Sequence, residues 1–509
     1  MIKKWLYQWA PVLGLMLLLG LTVLAYLPAL FHVARADQVS FLAEYAGREN
    51  NFQMIIDSLF YNRTREFSPG DAALFRPLLF LMLSVQKAVF GYGPFWWQLV
   101  ALLAHLFTVG ALWRLLRRWS GEVRAYHAAA WLMLVFFAVL FTNMEAVIWH
   151  GITPYVFFAG FILLAMDQLD VFICSQGRNR RAVWACAAWL LAAVLIYEAG
   201  IIYILCFTGY TCLMLRGTGR VRWSLAVLAP LIVYTGWSAG HWFLAGIHPD
   251  AETGQMLSQA FSLKTVRNYL MVLKWFVAGA FFFQPQDITR ITRLIADPVI
   301  FTWPWPFNDW LAVRWFGMAG VAALGVSIGM GTRFIADKVT RGRVLLLCTM
   351  LLGYIAMLTI GRTNTREDGT GVECSYYYFY NFWVLLSVLL YLPLREFFAR
   401  QVVLRWIAAF ALVIFAGSNA WSVYRMTASI AVSCRDVRIA GIRLDKFVAQ
   451  HRNEKDFTFY MAPGEPGNYF VIWLSKKNDP PGKRYSLIEA LYPKYFNATN
   501  PKYRIHSRR

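Results

Sequence analysis

Three short stretches set ionisable side chains against apolar runs. "HVARADQVSF" at 32–41 puts Asp37 just beyond a largely apolar run from 5 to 31, "TNMEAVIWHG" at 142–151 puts Glu145 and His150 between two such runs, and "IYEAG" at 196–200 puts Glu198 between two more. An Asp at the centre of a spanning helix costs about 2.5–3.5 kcal/mol, and less near an end, so acids at the edge of hydrocarbon call for a wet location or a use. Carboxylates and an imidazole at one level suit a general base acting on a substrate proton inside a cleft. Each residue also has a plainer reading. Asp37 reads equally as a solvated loop acid, Glu145 or Glu198 as a cap on a helix N-terminus, and His150 as a hydrogen-bonded interfacial residue.

The elements that must position these groups are membrane helices. The chain of 509 residues is 59% hydrophobic, 17% aromatic and 15% charged, with a mean hydropathy of +0.46. Its repeated uncharged runs are each long enough to cross about 30 Å of hydrocarbon, which predicts an all-α polytopic membrane protein. The net charge of +21 does not point to nucleic acid, because the Lys and Arg cluster between apolar runs as topology signals do. "MIKKW" followed by so long an apolar stretch reads as a retained first span and not as a cleaved signal.

Candidate spans are 8–31, 96–116, 125–143, 152–173, 182–197, 199–215, 223–245, 309–331, 343–361, 376–393 and 404–424. Two further apolar stretches are poor spans: 76–90 is short and bounded by Arg76-Pro77 and "GYGP", and 268–284 carries Lys274. Counting neither places the clusters at 114–124, 178–181 and 216–222 on the same side as Lys3 and Lys4, as the excess of positive charge in cytoplasmic loops requires. Eleven spans result, with the N-terminus cytoplasmic and the C-terminus outside, in a bacterial inner membrane. The expected organisation is a membrane domain over 1–427, with outer loops at 33–95 (carrying an edge helix) and 246–308, and a small α/β C-terminal domain over 428–509. Seven cysteines show no metal-ligand spacing. Cys374 and Cys434 share the oxidising side on this topology, so a disulfide between them is one of two open readings.

The stretches combine into a recognisable series. "ADQVSF", then "FRPLLFLMLSVQKAVFGYGPFWWQLVALLAHLFTVGALWRLLRRWSG" at 75–121 with "LLAH" ending at His105, then "NMEAVIWHGITPYVFFAGFILLA", then "YEAG" at 197–200 resemble, in order, elements of the GT-C superfamily of integral membrane glycosyltransferases, near the protein O-mannosyltransferases and the aminoarabinose transferase of lipid A. The likeness covers about the first 220 residues, and the remainder in architecture only. It implies inverting transfer of a sugar from a polyprenyl-phosphate donor to a glycan, lipid or protein hydroxyl on the outer face. Asp37 would be the base, Glu145, His150, Glu198 and His105 would line the donor and acceptor sites, and Arg76, Arg362, Arg366 and Tyr377, with Lys274, would bind the lipid phosphate.

The sequence departs from the family pattern in two places. "SYYYFYNF" at 375–382 lacks the Arg that accompanies Tyr in relatives, so Arg362 would have to supply that charge, and its tyrosines also read as an interfacial belt. Asp37 is followed by Gln38, so no acid pair for a divalent ion is evident and no cofactor or obligatory metal is expected. Two other classes stay open at this stage: a transporter or flippase of lipid-linked glycans, which internal repeats and mid-membrane charges would favour, and an O-antigen polymerase or ligase, for which the 246–308 loop offers Arg267, Arg290, Arg293 and His248.

Overall fold

The computed structural model describes residues 2–32, 51–60, 75–91, 93–215, 217, 219–245, 337–362 and 376–450, isolated helical positions between 269 and 329, and short strands beyond 456. The helices are α1 (Ile2–Tyr26), α2 (Asn51–Phe60), α3 (Pro77–Phe90), α4 (Pro94–Ser120), α5 (Arg124–Ala138), α6 (Met144–Ile148), α7 (Thr153–Cys174), α8 (Arg180–Ile196), α9 (Gly200–Met214), α10 (Gly219–Ala245), α11 (Lys338–Arg362), α12 (Tyr376–Arg400) and α13 (Val402–Gln450). Four strands follow: β1 (Phe457–Met461) pairs in parallel with β4 (Tyr503–Ser507), and β2 (Val471–Ile472) pairs antiparallel with β3 (Tyr485–Ser486). The expected span at 309–331, apart from two positions, and the Cys374–Cys434 pairing lie outside the described residues and side chains.

Local sequence accounts for the helix ends. Pro77 and Pro94 open α3 and α4 at positions where no amide donor is needed. Gly91 and Gly121 end them at positive φ, +58° and +55°, a conformation that costs other residues free energy. Asn179 accepts a bond from the Ala182 amide at the start of α8, and Asp337 caps α11 through the Val339 and Thr340 amides.

Seven described helical stretches are long and apolar enough to cross a membrane: 11–31, 94–120, 153–174, 219–241, 338–359, 379–400 and 405–432. Their outward faces carry exposed Leu17, Leu21, Trp406, Phe410, Val413 and Trp421, as surfaces against lipid do. Close helix approach depends on small residues. A Cβ at Gly160 on α7 would fall 2.5 Å from the Phe107 ring of α4, and one at Gly353 on α11 would fall 2.6 Å from Ile202 of α9.

One end of the bundle is held by arginines. Arg114 and Arg118 of α4 both reach Asp167 of α7, at 2.9 and 3.0 Å. Arg343 of α11 makes a two-pronged contact with Asp170, at 2.8 and 2.9 Å, and stacks on Trp119. Arg395 of α12 donates to the Trp119 carbonyl and to Thr340. Four helices are thereby fixed to one another at the same level, and α5, α8 and α9 each have an end beside that level.

Those three helices are short. At 15, 17 and 15 residues they rise only about 22, 25 and 22 Å, less than the hydrocarbon thickness of about 30 Å. The expected span at 125–143 therefore stops at Ala138. The helix breaks at Val139, and the carbonyls it leaves are taken by side chains: His105 bonds Ala138 and Asn143 bonds Phe137. The expected span at 404–424, by contrast, is part of the 49-residue α13, which contains no proline to end it, so the helix runs through the position where the C-terminal domain was expected to begin.

Replacing Asp170 with Ala should strand the Arg343 guanidinium and lower stability by about 3 kcal/mol, read as an earlier thermal unfolding midpoint in detergent. At Asp337, burial favours the neutral acid, but the bonds from Thr340 and Val339 and the Arg343 charge outweigh it and hold the carboxyl below its usual value. Its contribution is then present above the ordinary carboxylate range and is lost as pH falls through the lowered value. D337N should therefore lose less stability than the parent on acidification, measured by thermal unfolding in neutral and in acidic buffer.

Candidate functional site

Among the irregular connections on the side of the bundle away from the arginine-rich end, two carry expected site residues. The first is the connection from α5 to α7, residues 139–152, built from 3-10 turns at Phe141–Asn143 and His150–Ile152 around the single-turn helix α6. The second is residues 197–199, between α8 and α9. The helices that lead into these connections, α5, α8 and α9, are each too short to cross hydrocarbon unaided. Irregular backbone among apolar helices persists only when protein covers it or water reaches it.

Arg76, immediately before α3, meets the second break. Its Nε and Nη2 donate to the two carboxylate oxygens of Glu198 at 2.7 and 2.6 Å, and its Nη1 donates to the Tyr155 hydroxyl at 2.9 Å. The guanidinium also lies 5.3 Å from the Tyr197 ring centre, and Tyr197 packs edge-on against Tyr155. Planar two-point pairing is the geometry for which Arg is suited over Lys. The approach of α3 is fixed from α10, where Tyr234 donates to the Phe75 carbonyl at 3.3 Å and His241 stacks on the Phe75 ring at 4.5 Å. His241 Nδ1 in turn donates to the Phe60 carbonyl at the end of α2.

His105 serves the first break. Its Nε2 lies 2.9 Å from the Ala138 carbonyl and its Nδ1 2.7 Å from the Tyr380 hydroxyl. The carbonyl can only accept, so Nε2 carries the proton, and in the neutral ring Nδ1 accepts from Tyr380. The ring packs among Tyr26, Phe137 and Tyr380. Gln98, two turns earlier on α4, donates to the Val147 carbonyl of α6 at 2.6 Å, and Asn419 of α13 accepts from the Phe141 amide at 2.9 Å. The short turns of the crossing are thus held by side chains from helices on either side.

The structure brings two of the expected site residues together, Arg76 and Glu198, as partners of each other. Glu145 lies in the first turn of α6, on the other break, and His105 is buried with both nitrogens engaged beneath it. His150 lies in the second 3-10 turn of that crossing, Arg362 is the last residue of α11 and Tyr377 is in the first turn of α12, with their side chains outside the described set. Asp37 and Arg366 also lie outside it. The chain leading to Asp37 is anchored at His32, whose Nε2 meets the Thr427 carbonyl at 2.7 Å. Tyr155, Tyr197, Gln98, Asn143 and Tyr380 were not anticipated as site residues. The signal available for them was an uncharged polar group inside an apolar run, which a search for ionisable residues passes over. Among the described residues, no group of three His, Cys, Asp or Glu side chains is placed to hold a metal ion.

These helices, their lipid-facing surfaces and their buried ion pairs define an all-α polytopic integral membrane protein. Compared with protein-family models, curated proteins and solved structures, the chain finds no match.

Removing one partner of a buried ion pair leaves the other uncompensated, so Glu198→Ala should cost about 3 kcal/mol and the double variant with Arg76→Leu and Glu198→Leu much less. Thermal unfolding of the single and double variants in detergent measures the difference. Equal losses in both would show that the pair contributes nothing beyond the packing of its side chains.

Proposed function

We propose that this protein is an inverting membrane glycosyltransferase of the GT-C type, which moves a sugar from a polyprenyl-phosphate carrier to a hydroxyl of a glycan, lipid or protein acceptor. The observation that carries the reading is the convergence of both helix breaks, the Arg76–Glu198 pair and the chain leading from His32 towards Asp37 on the side of the bundle away from the arginine-rich end. A lipid carrier and a water-borne acceptor can meet only near such a boundary. The likeness of the first 220 residues to that superfamily agrees with it.

In this reading the Asp37 carboxylate takes the proton of the acceptor hydroxyl as its oxygen bonds to the anomeric carbon. The bond from that carbon to the phosphate oxygen breaks, and the polyprenyl phosphate departs with the electron pair. Arg362 and Tyr377 flank the connection between α11 and α12, to which Arg366 belongs in sequence, at the far ends of helices whose other ends carry Arg343 and Arg395. They hold the departing phosphate in this scheme, and Arg76, oriented by Glu198, contributes positive charge beside it. The accompanying topology has eleven spans in a bacterial inner membrane, the N-terminus cytoplasmic, and an α/β domain after α13 on the outer side.

Asp37→Asn should abolish transfer from a radiolabelled polyprenyl-phosphate sugar in membranes while leaving expression and the unfolding midpoint unchanged; full activity in the variant would remove Asp37 as the base. Topology is tested separately by a membrane-impermeant thiol reagent on intact cells. Gly93→Cys should react and Glu122→Cys should not, and the reverse pattern would turn the protein over in the membrane.

A further inference from the structure

Helix α7 is buried on every side but one. From Thr153 to Ile173 the residues that are not buried are Phe157, Phe161, Leu164, Gln168 and Val171, a single stripe at the spacing of one helix face. The stripe is the floor of a slit whose walls are α4 and α8, the helices packed along α7.

Two rows of side chains cross the slit. In the first, the ring centre of Phe107 on α4 lies 5.9 Å from that of Phe161, and Phe161 stacks on Trp189 of α8 at 5.3 Å. The second row, Arg114, Gln168 and Arg181, comes seven residues after Phe107 and Phe161 and eight before Trp189, about 10–12 Å nearer the arginine-rich end. Arg114 Nε and Gln168 Nε2 both donate to Asp167 Oδ2, at 2.9 and 3.0 Å, so these two side chains meet at one atom. Between the rows the walls are low. On α4 stands Gly110, where an added Cβ would find no atom within 4 Å, and on α8 stands Ala185.

The polar row carries positive charge that the protein does not neutralise. Asp167 is fully buried and also takes Arg118, at 3.0 Å, so one carboxylate stands against two guanidiniums. Arg114 keeps 50% of its side chain exposed, and its two terminal nitrogens have no partner among the described residues. Arg181 is exposed. An apolar trough that ends on such groups is complementary to a lipid with an acyl chain and a phosphate of net negative charge. A zwitterionic headgroup would bring an ammonium group in need of an acid, and the acids of α7, Asp167 and Asp170, are already held by Arg114, Arg118 and Arg343.

We propose that the slit along α7 binds one anionic glycerophospholipid, of the phosphatidylglycerol type, from the leaflet at the arginine-rich end. Arg114, Gln168 and Arg181 hold its phosphate, and an acyl chain lies over Gly110 and Leu164 and ends on the aromatic row. The lipid offsets the charge that Asp167 leaves over and so completes the clamp between α4 and α7. The site lies away from Arg76 and Glu198 and does not depend on the glycosyltransferase reading.

The full-length protein, stripped of lipid in a neutral detergent, is titrated with dioleoyl phosphatidylglycerol or dioleoyl phosphatidylcholine. Native mass spectrometry counts the bound lipid, and thermal unfolding is followed in parallel. Wild type should hold one phosphatidylglycerol about tenfold more tightly than phosphatidylcholine, and its midpoint should rise as that lipid binds. Two variants remove separate halves of the site. Gly110→Leu fills the trough and leaves every charge in place, while Arg114→Gln keeps the trough and leaves Arg118 and Gln168 on Asp167. Each should weaken the first phosphatidylglycerol by about tenfold, the effect of a lost charged hydrogen bond or of displaced methylenes.

Without lipid, Gly110→Leu should unfold no earlier than the parent, since it removes a helical glycine and meets no atom. A clear fall there would show that protein already fills the trough and would overturn the site. Equal affinity of wild type for the two lipids, or an unchanged preference in both variants, would overturn it as well. A wild-type dimer that Gly110→Leu turns into a monomer would give the slit to a second copy of the chain in place of the lipid.

Discussion

The constraint that shapes this molecule is that backbone amides and carbonyls within the bilayer must find partners without help from lipid. Three of its helices are too short to cross hydrocarbon unaided, and the backbone groups at their ends need partners. The remedy is a set of side chains borrowed from neighbouring helices: His105 and Asn143 on the last carbonyls of α5, Gln98 on the α6 carbonyl, and Asn419 on the Phe141 amide. Once these contacts are made, the crossing at 139–152 is as firmly placed as a helix would be. The price is a group of polar residues deep in the bundle, and it is those residues that give the region its chemical character.

The two ends of the bundle use ion pairs differently. At one end, Asp167 and Asp170 each meet arginines from other helices, tying α4, α7 and α11 at a level where exposed arginines such as Arg117, Arg180 and Arg222 abound. On the opposite side, Arg76 and Glu198 form a smaller arrangement with Tyr155 and Tyr197, and α10 supports it from behind through Tyr234 and His241. The first arrangement fastens helices together. The second fixes the direction of a single guanidinium through Glu198 and Tyr155.

Much of the architecture was legible in the sequence because hydrocarbon imposes a coarse rule. The runs that became α1, α4, α7, α10, α11 and α12 are visible as long uncharged segments, and Arg76-Pro77 with Gly91 delimited α3 as a short helix. The end of α5 at Ala138 was not legible, since "FAVLFTNMEAVIWH" carries no proline or glycine to mark it. The break follows from tertiary bonds by His105 and Asn143 that no local pattern encodes. The continuation of α13 to Gln450 also had no signature, because a drop in hydropathy does not mark where a helix ends. At the site, acids and arginines could be picked out singly, but the pairing of Arg76 with Glu198 joins residues 122 positions apart and had no signature in the chain.

Helix α13 holds a further implication. Its 49 residues make a rod of about 74 Å, of which the part beyond position 432 extends roughly 27 Å past the apolar stretch. The rod is pinned to the membrane body at Thr427 by His32 and at Asn419 by the 139–152 crossing. The rod therefore stands as a stiff mast on the membrane body. A twist applied at its tip would be delivered as torque to the two turns on which the crossing and the approach to Asp37 are hung.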